Sequence, residues 1–424
     1  MAASVPGPVG GLAFIQFGDY AEAYERLSRG GEETYYAQRQ SVDFVTELRR
    51  RVPRVLVMWV GGRAAPRTLD TGVETVGFEV YGRDSIGAGT DYLKGWGATH
   101  AVLRTPIAGM LADCVARGVR VLPTFADSFA TRGLRRRAAN WRLARLLNHR
   151  SIDFVGNHHV NASLNLAQIG VRPGKIIPWD FFMMASPGEF AAKRHPGAGR
   201  PWRIAVVGRI EPDKGLPDCI AAVELLAQRG VEAELHIVGG VKAADFGPAA
   251  APPSANGRVV FRGPLRHRGV LELMHGCDTV VVPSRHGYPE GLPLSIYDAY
   301  CSRTPLVASD HPMFDRRVVH GESGLVFPAT DAGALADRIA ALHGDPALFE
   351  RLSRNSEAAW NGLQLPVEWS ELVRRWAEGT PEDMAWLRRH TLASGRYDHL
   401  TGKVRTIELS LPEQELGPAE GAGA

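Results

Sequence analysis

Two acidic residues, Glu290 and Asp298, stand eight positions apart in the segment PEGLPLSIYDA. The segment follows a short apolar run, TVVVPS at 279–284, which is typical of a buried strand. In a strand–loop–helix unit, Glu290 lies in the loop after the strand and Asp298 lies in the first turns of the helix. Open α/β sheets bind ligands at this edge, and carboxylates accept hydrogen bonds while they repel anions. The spacing therefore predicts a site for hydroxyl groups; the alternative is an acid pair on a solvated helix face.

Two cations lie upstream, around a turn that follows another apolar run. Residues 203–207, RIAVV, predict a strand that ends at Gly208, and an amphipathic helical pattern begins soon after it. Arg209 and Lys214 bracket the turn. A guanidinium fork and an ammonium group beside a helix N-terminus suit the oxygens of a diphosphate. The alternative is an ordinary loop in which Lys214 pairs with Glu211.

The two segments together resemble the signatures of retaining GT-B glycosyltransferases of the family 4 type (glycosyl transferases group 1), and the resemblance covers residues 203–355. It implies that Arg209 and Lys214 hold the donor diphosphate. It also implies that Glu290 holds the donor sugar and that Asp298, one methylene shorter than the family's Glu, accepts from the ribose. The donor-binding positions implied in this way are Gly30, Gly31, Gly208, Gly239, Gly291, Leu292, Pro293, Leu294 and Asp298.

The first half of the chain resembles the family less closely. A strand at 12–17 is followed by an expected loop that contains Tyr20 and Tyr24. Gly30 and Gly31 are then expected to open a long helix that ends near residue 51, and a glycine pair lets backbone approach a ligand closely. The resemblance implies that this loop faces the donor diphosphate across the cleft. The alternative is a plain turn before a helix.

One departure from the family concerns the strand predicted at 119–124. The family commonly has His-Asp after this strand, whereas this chain has Ala126 and Asp127. Asp127 is therefore the residue expected to hydrogen-bond a sugar hydroxyl or the acceptor, beside Arg209, Lys214 and Glu290 in the catalytic set. His158 and His159 are the nearest histidine pair, and they are a weaker alternative for the missing histidine.

The remaining pattern predicts strands alternating with helices, which implies βαβ units and parallel sheets. The further strands are predicted at 54–60, 73–81, 100–103, 233–238, 258–263, 277–279, 304–309 and near 321–327. With the resemblance, the fold class is α/β of the GT-B type: two Rossmann-like doubly wound domains facing each other across a cleft.

Domain boundaries are placed by composition. An acceptor-side domain is expected at 1–185, and a nucleotide-sugar-binding domain at 186–365, with an exposed linker between Met183 and Pro201. Residues 366–410 are expected to form a helix that crosses back to the first domain and a tail with a strand at 403–409. Residues 411–424 are expected to be disordered.

Composition excludes several classes of protein. The 424 residues carry a formal charge of only +3, which argues against a nucleic-acid binder. No apolar stretch is long enough to span a bilayer, and no signal peptide is visible. The four cysteines have neither metal-ligand nor redox spacing, so a reduced, cytoplasmic protein is expected. No Asp-x-Asp motif is present, so no metal is expected to be required.

A basic segment runs from Arg132 to Arg150. It holds seven arginines and no acid, and Ala139, Leu143, Leu146 and Leu147 form an expected apolar stripe with Trp141 outside it. A basic helix with an exposed tryptophan predicts contact with an anionic membrane at its inner face. The alternative is a core-packed helix with a basic solvent face.

The function expected from the resemblance is transfer of a sugar, with retention, from a nucleotide-sugar to a sugar, lipid-linked or small-molecule acceptor. UDP is favoured over GDP, and no cofactor is expected. Two other classes stay open: a catalytically silent nucleotide-sugar-binding subunit, and another GT-B enzyme such as a sugar-nucleotide epimerase. The missing histidine favours the former, and the order of the motifs argues against the latter.

Overall fold

The computed structural model describes residues 9–34, 37–79, 83–131, 133–240 and 258–401. They form two α/β domains, each built on one sheet. Apolar, β-branched runs form the strands, and amphipathic helices cover the sheet faces. The predicted strand at 403–409 and the disordered end at 411–424 lie outside the described residues. The predicted fold class, two doubly wound α/β domains, is confirmed.

The first domain has an eight-stranded sheet in the order β3-β4-β2-β1-β5-β6-β7-β8, parallel except for β3. Its strands are β1 (Leu12–Gln16), β2 (Val55–Trp59), β3 (Gly61–Thr68), β4 (Glu74–Glu79), β5 (His100–Leu103), β6 (Arg120–Phe125), β7 (Val155–His158) and β8 (Ile176–Trp179). Its helices are α1 (Tyr20–Ser28), α2 (Gln38–Leu48), α3 (Arg83–Trp96), α4 (Ala108–Ala116), α5 (Leu134–Leu147) and α6 (His159–Gln168).

The second domain has a six-stranded parallel sheet in the order β11-β10-β9-β12-β13-β14. Its strands are β9 (Trp202–Val207), β10 (Ala233–Val238), β11 (Val259–Gly263), β12 (Thr279–Val282), β13 (Leu306–Ser309) and β14 (Leu325–Phe327). Its helices are α7 (Leu216–Gln228), α8 (His267–Gly276), α9 (Leu294–Cys301), α10 (Ala332–Gly344) and α11 (Pro346–Leu363).

The strand order of the second sheet reverses between β9 and β12. From β9 the chain builds outward through β10 and β11, and from β12 it builds outward through β13 and β14. The loops after β9 and β12 therefore diverge and leave a crevice at the carboxyl edge of the sheet. The first loop carries Arg209 and Lys214, and the second carries Glu290.

The end of the chain packs on the first domain. Helix α12 (Trp369–Glu378) contributes Trp369, Leu372 and Trp376 to the apolar core that contains Phe14 of β1. The indole Nε1 of Trp369 donates to the hydroxyl of Thr124 at 3.1 Å. The short helices α13 (Pro381–Arg388) and α14 (Asp398–Thr401) follow. Residues that come after the second sheet thus complete the core of the first domain.

Two local expectations for the first domain are wrong. Tyr20 and Tyr24 lie in helix α1, not in a loop, because the carboxylate of Asp19 caps the helix by accepting from the backbone N–H groups of residues 21 and 22. Gly30 and Gly31 end this helix and do not open the next one: the N–H of Gly31 donates to the carbonyl of Arg26 at 2.8 Å, and α2 begins only at residue 38.

The basic segment forms helix α5 as expected, but its apolar stripe is narrower. Leu143 and Leu147 are buried, whereas Ala139 is exposed, so the stripe does not extend to the first turns of the helix. Trp141 is 61% exposed and Leu134 is 84% exposed. Arg132 lies outside the described residues. No helix in the described part of the chain combines the length and apolar composition needed to cross a bilayer.

Candidate active site

A cavity of about 260 Å³ opens at the carboxyl edge of the second sheet. Arg209 and Lys214 contribute two cationic groups to its lining, and Glu290 and Asp298 contribute two carboxylates. The other residues that line it are Val207, Gly208, Val238, Gly239, Gly240, Pro264, Leu265, His267, Val270, Pro293, Leu294 and Ser295, with Glu33 and Thr34 from the first domain. The cavity therefore lies between the domains and joins the two motifs found in the sequence.

Two glycines form the floor where β9 and β10 end. Gly208 and Gly239 have φ angles of +147° and +146°. A Cβ atom at Gly239 would lie 1.8 Å from the carbonyl oxygen of Gly208, so no larger residue fits at position 239. The close approach of the two loops depends on this glycine.

A buried ion pair links the two motifs. The Nζ atom of Lys214 donates to the Oε1 atom of Glu290, and the hydroxyl of Ser284 donates to its Oε2 atom. Burial alone raises the pKa of Glu290, but the charge and hydrogen bond of Lys214, with help from Ser284, outweigh it, and the net pKa is lowered. Glu290 is therefore held as a carboxylate. The alternative partner considered for Lys214, Glu211, lies instead 3.4 Å from Arg209.

Tyr288 connects the two cations. Its hydroxyl accepts from the guanidinium of Arg209 at 2.8 Å, and the ammonium of Lys214 lies 4.6 Å from its ring centroid. Burial raises the pKa of Tyr288 to about 12. The carbonyl of Tyr288 accepts from Nε2 of His311, whose Nδ1 accepts from the N–H of Met313. Burial lowers the pKa of His311 to about 4, so this loop is held by a neutral imidazole.

Asp298 has a histidine partner. The Nε2 atom of His267, the first residue of α8, lies 2.8 Å from the Oδ1 atom of Asp298. Burial raises the pKa of Asp298, while the hydrogen bond and charge of His267 lower it and leave a net increase. Helix α9 begins at Leu294 without a side-chain cap, so its first backbone N–H groups add positive potential on this side of the cavity.

Asp127 and Ser128 of the first domain meet the second domain beside the cavity. The backbone N–H of Glu290 donates to the hydroxyl of Ser128 at 3.2 Å. Burial raises the pKa of Asp127 to about 6, and the positive charge of Arg209 across the cleft opposes this increase. Asp127 is not part of the cavity lining, but it lies within electrostatic range of one of its cations.

Several positions implied by the resemblance do not line the cavity. Gly30 and Gly31 lie outside its lining, and their loop reaches it instead through Glu33 and Thr34. Leu292 is buried in the apolar core around α9. Gly291 packs on the first domain, where an added Cβ would lie 3.1 Å from Nδ1 of His158. Gly208, Gly239, Pro293, Leu294 and Asp298 do line the cavity.

The two histidines considered as replacements have structural partners. Nε2 of His158 lies 3.1 Å from a carboxylate oxygen of Asp180, whose other oxygen accepts from the hydroxyl of Tyr297. Nε2 of His159 donates to the carbonyl of Leu363 at 3.1 Å. Both rings are buried between the domains and are not part of the cavity lining. They hold the domains together at the bottom of the cleft.

A second, larger cavity of about 920 Å³ lies beside the C-terminal half of α5. Arg145, Arg150, Arg172 and Arg388 contribute to its lining, and Asp153 is the acid among the lining residues. Asp153 is paired with Arg120. Residue 153 precedes β7, so this basic cavity lies at the opposite edge of the first sheet from the cleft. Within the described ranges, no group of three or more His, Cys, Asp or Glu side chains is placed to hold a metal ion.

The arrangement of the two domains is the GT-B fold. A sucrose-phosphate synthase from Thermosynechococcus elongatus superposes with a TM-score of 0.61 at 16% identity, over 89% of this chain and 100% of that chain. Anabaena Alr3699/HepE in complex with UDP-glucose superposes with a TM-score of 0.58 at 16% identity, over 83% of this chain and 95% of that chain.

Sequence comparison locates the family resemblance in the second domain. Residues 189–359 match the family described as Glycosyl transferases group 1. Glycogen synthase of Mycobacterium tuberculosis is 31% identical over 198 residues, which are 46% of this chain and 45% of that protein. The chain thus spans about half the length of this curated relative. The matched range contains both motifs of the cavity.

Proposed function

We propose that the protein is a retaining glycosyltransferase of the family 4 type, which moves a sugar from a nucleotide-sugar donor to an acceptor. The observation that carries this proposal is a single cavity with two cations, Arg209 and Lys214, beside two carboxylates, Glu290 and Asp298. A nucleotide-sugar needs cations for its diphosphate and hydrogen-bond acceptors for its sugar and ribose hydroxyls. The match to glycosyl transferases group 1 over residues 189–359 supports the same reaction class.

In this proposal the diphosphate binds beside Arg209 and Lys214, near the N-terminus of α9. Positive charge and backbone N–H groups there favour an anion. The sugar hydroxyls bind Glu290, with backbone groups of residues 291–294, and the ribose binds Asp298. Lys214 donates a hydrogen bond to Glu290. We expect the arriving diphosphate to share the ammonium group of Lys214 with that carboxylate.

The proposed reaction breaks the bond between the anomeric carbon and the diphosphate oxygen. The nucleoside diphosphate leaves with the electron pair, and the acceptor hydroxyl forms the new glycosidic bond on the same face and releases its proton. Arg209 and Lys214 stabilise the negative charge that develops on the leaving group. Asp127 lies on the acceptor side of the cleft, within electrostatic range of Arg209, and hydrogen-bonds the sugar or the acceptor.

The donor proposed for testing first is a UDP-sugar. UDP is the nucleotide expected in preference to GDP, and HepE, which has the same fold, binds UDP-glucose. The two cations of the cavity supply the charge that the leaving group requires, and no metal is proposed to be needed. The proposed acceptor is a sugar, a lipid-linked molecule or a small metabolite, and nucleic acid is not among the proposed partners.

A cytoplasmic location with contact to the inner face of the membrane is proposed from two observations. The four cysteines are buried and unpaired, as suits a reducing compartment. Helix α5 exposes Arg135, Arg136 and Arg137 in its first turn, together with Trp141 further along the helix. An anionic surface attracts each basic residue by about 1 kcal/mol, and a tryptophan suits the interface.

Sedimentation with vesicles tests this contact. Replacing Arg136, Arg137 and Arg145 by Gln should reduce binding to vesicles that contain phosphatidylserine at low salt, without altering donor hydrolysis. The matched control replaces three exposed arginines of the second domain, Arg229, Arg351 and Arg354. Equal loss in both variants, or no binding of the wild-type protein, would leave α5 as a solvated helix and favour a soluble acceptor.

A catalytically silent nucleotide-sugar-binding subunit is the second candidate, because Ala126 stands where the family commonly has histidine. Another GT-B enzyme, such as an epimerase, is the third. Release of nucleoside diphosphate from a panel of UDP- and GDP-sugars by the purified protein separates them. A transferase releases nucleotide and forms a glycoside with the donor's anomeric configuration. Binding without release indicates a subunit, and an altered sugar still attached to nucleotide indicates an epimerase.

A further inference from the structure

His267 and Asp298 form a pair inside the donor cavity that the sequence motifs do not contain. His267 opens α8, Asp298 is the fifth residue of α9, and their side chains are each 12% exposed. The distance of 2.8 Å from Nε2 to Oδ1 is that of a hydrogen bond. Both residues line the cavity. The contact joins two helices through residues that are 31 positions apart in the chain.

The hydrogen bond determines how the Asp298 carboxylate is presented. An ionised carboxylate has only acceptor sites, so the imidazole nitrogen is the donor in this contact. Oδ1 is engaged by His267, and Oδ2 is the oxygen that remains to accept from a ligand hydroxyl. Without the imidazole, the short side chain could rotate, and burial would favour its protonated form, because burial raises the pKa of Asp298 and His267 opposes that increase.

The start of α8 also contacts the first domain. The preceding residue, Arg266, forms an ion pair with Glu32 of the first domain at 2.7 Å. Glu33 and Thr34 come directly after Glu32 in the chain, and both line the same cavity as His267. The start of α8 is thus connected to the loop of the first domain that contains these residues, and His267 lines the same cavity as the loop and the first turns of α9.

We propose that His267 is a positioning residue for nucleotide recognition: it holds the Asp298 carboxylate toward the ribose hydroxyls and fills the volume that a longer acid would occupy. This inference rests on the proposed function, since it takes the ligand to be a nucleotide. Its consequence is specificity. A carboxylate that accepts from the ribose 2′-hydroxyl selects ribonucleotides over 2′-deoxyribonucleotides, and that selection depends on a residue outside the acid pair.

Calorimetry with UDP and 2′-deoxy-UDP tests the proposal in four variants: H267A, H267Q, D298E and H267A/D298E. H267A should weaken UDP binding by about tenfold, as expected for loss of a charge-assisted hydrogen bond, and should change 2′-deoxy-UDP binding by less than about threefold. H267Q keeps an N–H donor and should recover part of the loss. In the transfer assay, H267A should raise KM for the donor with little change in kcat.

The sign of the D298E effect is the sharpest readout. In the wild-type background the longer acid meets the imidazole and should weaken UDP binding. In the H267A background the longer acid reaches into the volume left by the imidazole, so H267A/D298E should bind UDP more tightly than H267A does. The control is H275A. His275 lies at the other end of α8, and its Nδ1 donates to the carbonyl of Ser302 at 2.8 Å. H275A should leave the ratio of the two affinities unchanged.

The outcomes separate this inference from the proposed function. UDP binding by the wild-type protein, with an unchanged preference for UDP over 2′-deoxy-UDP in H267A and H267Q, would overturn the role of His267 alone. If D298E changes the affinity for UDP in the same direction in the wild-type and H267A backgrounds, the role of His267 is also overturned. Failure of the wild-type protein to bind UDP, GDP or ADP would overturn the proposed function together with the inference. H267Q, which is close to isosteric, keeps the test valid if H267A fails to fold.

Discussion

Replacing Lys214 by methionine removes the cation of the Lys214–Glu290 pair and keeps a side chain of similar length. In the wild-type protein the side chain of Lys214 is 18% exposed and that of Glu290 is 8% exposed. The structure therefore predicts that K214M lowers stability as well as activity.

The expected magnitude follows from the burial of the pair. Removing one partner of a buried ion pair costs about 3–5 kcal/mol, because the other charge is left uncompensated. Lys214 retains some contact with solvent and Ser284 still donates to Glu290, so the lower end of that range, about 3 kcal/mol, applies. The double variant K214M/E290Q removes both charges and should regain most of this loss.

The pH dependence of the free energy of unfolding follows from the pKa of Glu290. In the wild-type protein the pKa of Glu290 lies below its ordinary value of 4.5, so this group stabilises the fold above that pH and the contribution is lost as the pH falls. In K214M, burial acts without the cation and raises the pKa. Glu290 then destabilises the fold as the pH rises. The stability difference between the two proteins should be largest near pH 7 and should shrink toward pH 4.5.

Urea denaturation at pH 7 and pH 4.5 measures this difference. K94M, at an exposed lysine of α3, is the matched control and should change stability by less than about 0.5 kcal/mol. A loss below about 1 kcal/mol in K214M at pH 7, or the same loss at both pH values, would show that the pair does not compensate the charge of Glu290 as argued.

Four further substitutions test the assigned roles. R209Q should reduce transfer more than tenfold, about 1.4 kcal/mol, with the fold intact, because this side chain is 71% exposed; turnover above a tenth of wild type would remove it from the diphosphate site. E290Q should mainly lower turnover while UDP still binds, whereas D298N should weaken UDP and UDP-sugar alike, and the reverse order in calorimetry would contradict the division of roles. If ionised Asp127 is required, the rate should rise with pH through about 6, and D127N should abolish this acidic limb of the pH–rate profile; an unchanged limb would assign it to another group.

The second domain could be predicted closely from the sequence because its signals are local. Apolar runs ending in glycine predicted the strands that precede Gly208 and Gly239, and the parallel arrangement then required the loops with Lys214 and Glu290 to meet at one edge. Their direct ion pair was not predicted, because it joins residues 76 positions apart whose relative depth depends on packing.

Errors in the first domain arose where the local pattern was weak. Strand β3 was missed because GGRAAPRT lacks apolar alternation; it forms as an exposed, antiparallel edge on β4, where Pro66 is tolerated. The acidic neighbours of Tyr20 and Tyr24 predict a polar loop, yet Asp19 is a typical helix cap.

Contacts between the domains left no signal in either motif. Ser128, Glu33 and Thr34 approach the donor cavity only because the first domain lies over the second. His267 is similar, since its partner lies on another helix. The sequence does place a histidine at the first position of α8, after a Gly-Pro turn. That signal indicates a role in the donor cavity only when it is combined with the side chain of Asp298, which is one methylene shorter than the family's Glu.

A crystal structure of the protein with UDP would locate the diphosphate and the ribose together. We expect diphosphate oxygens within about 3 Å of nitrogen atoms of Arg209 and Lys214, and a ribose hydroxyl at a similar distance from the Asp298 carboxylate. A nucleotide bound elsewhere, for example in the basic cavity beside α5, or bound with its ribose away from Asp298, would contradict this expectation.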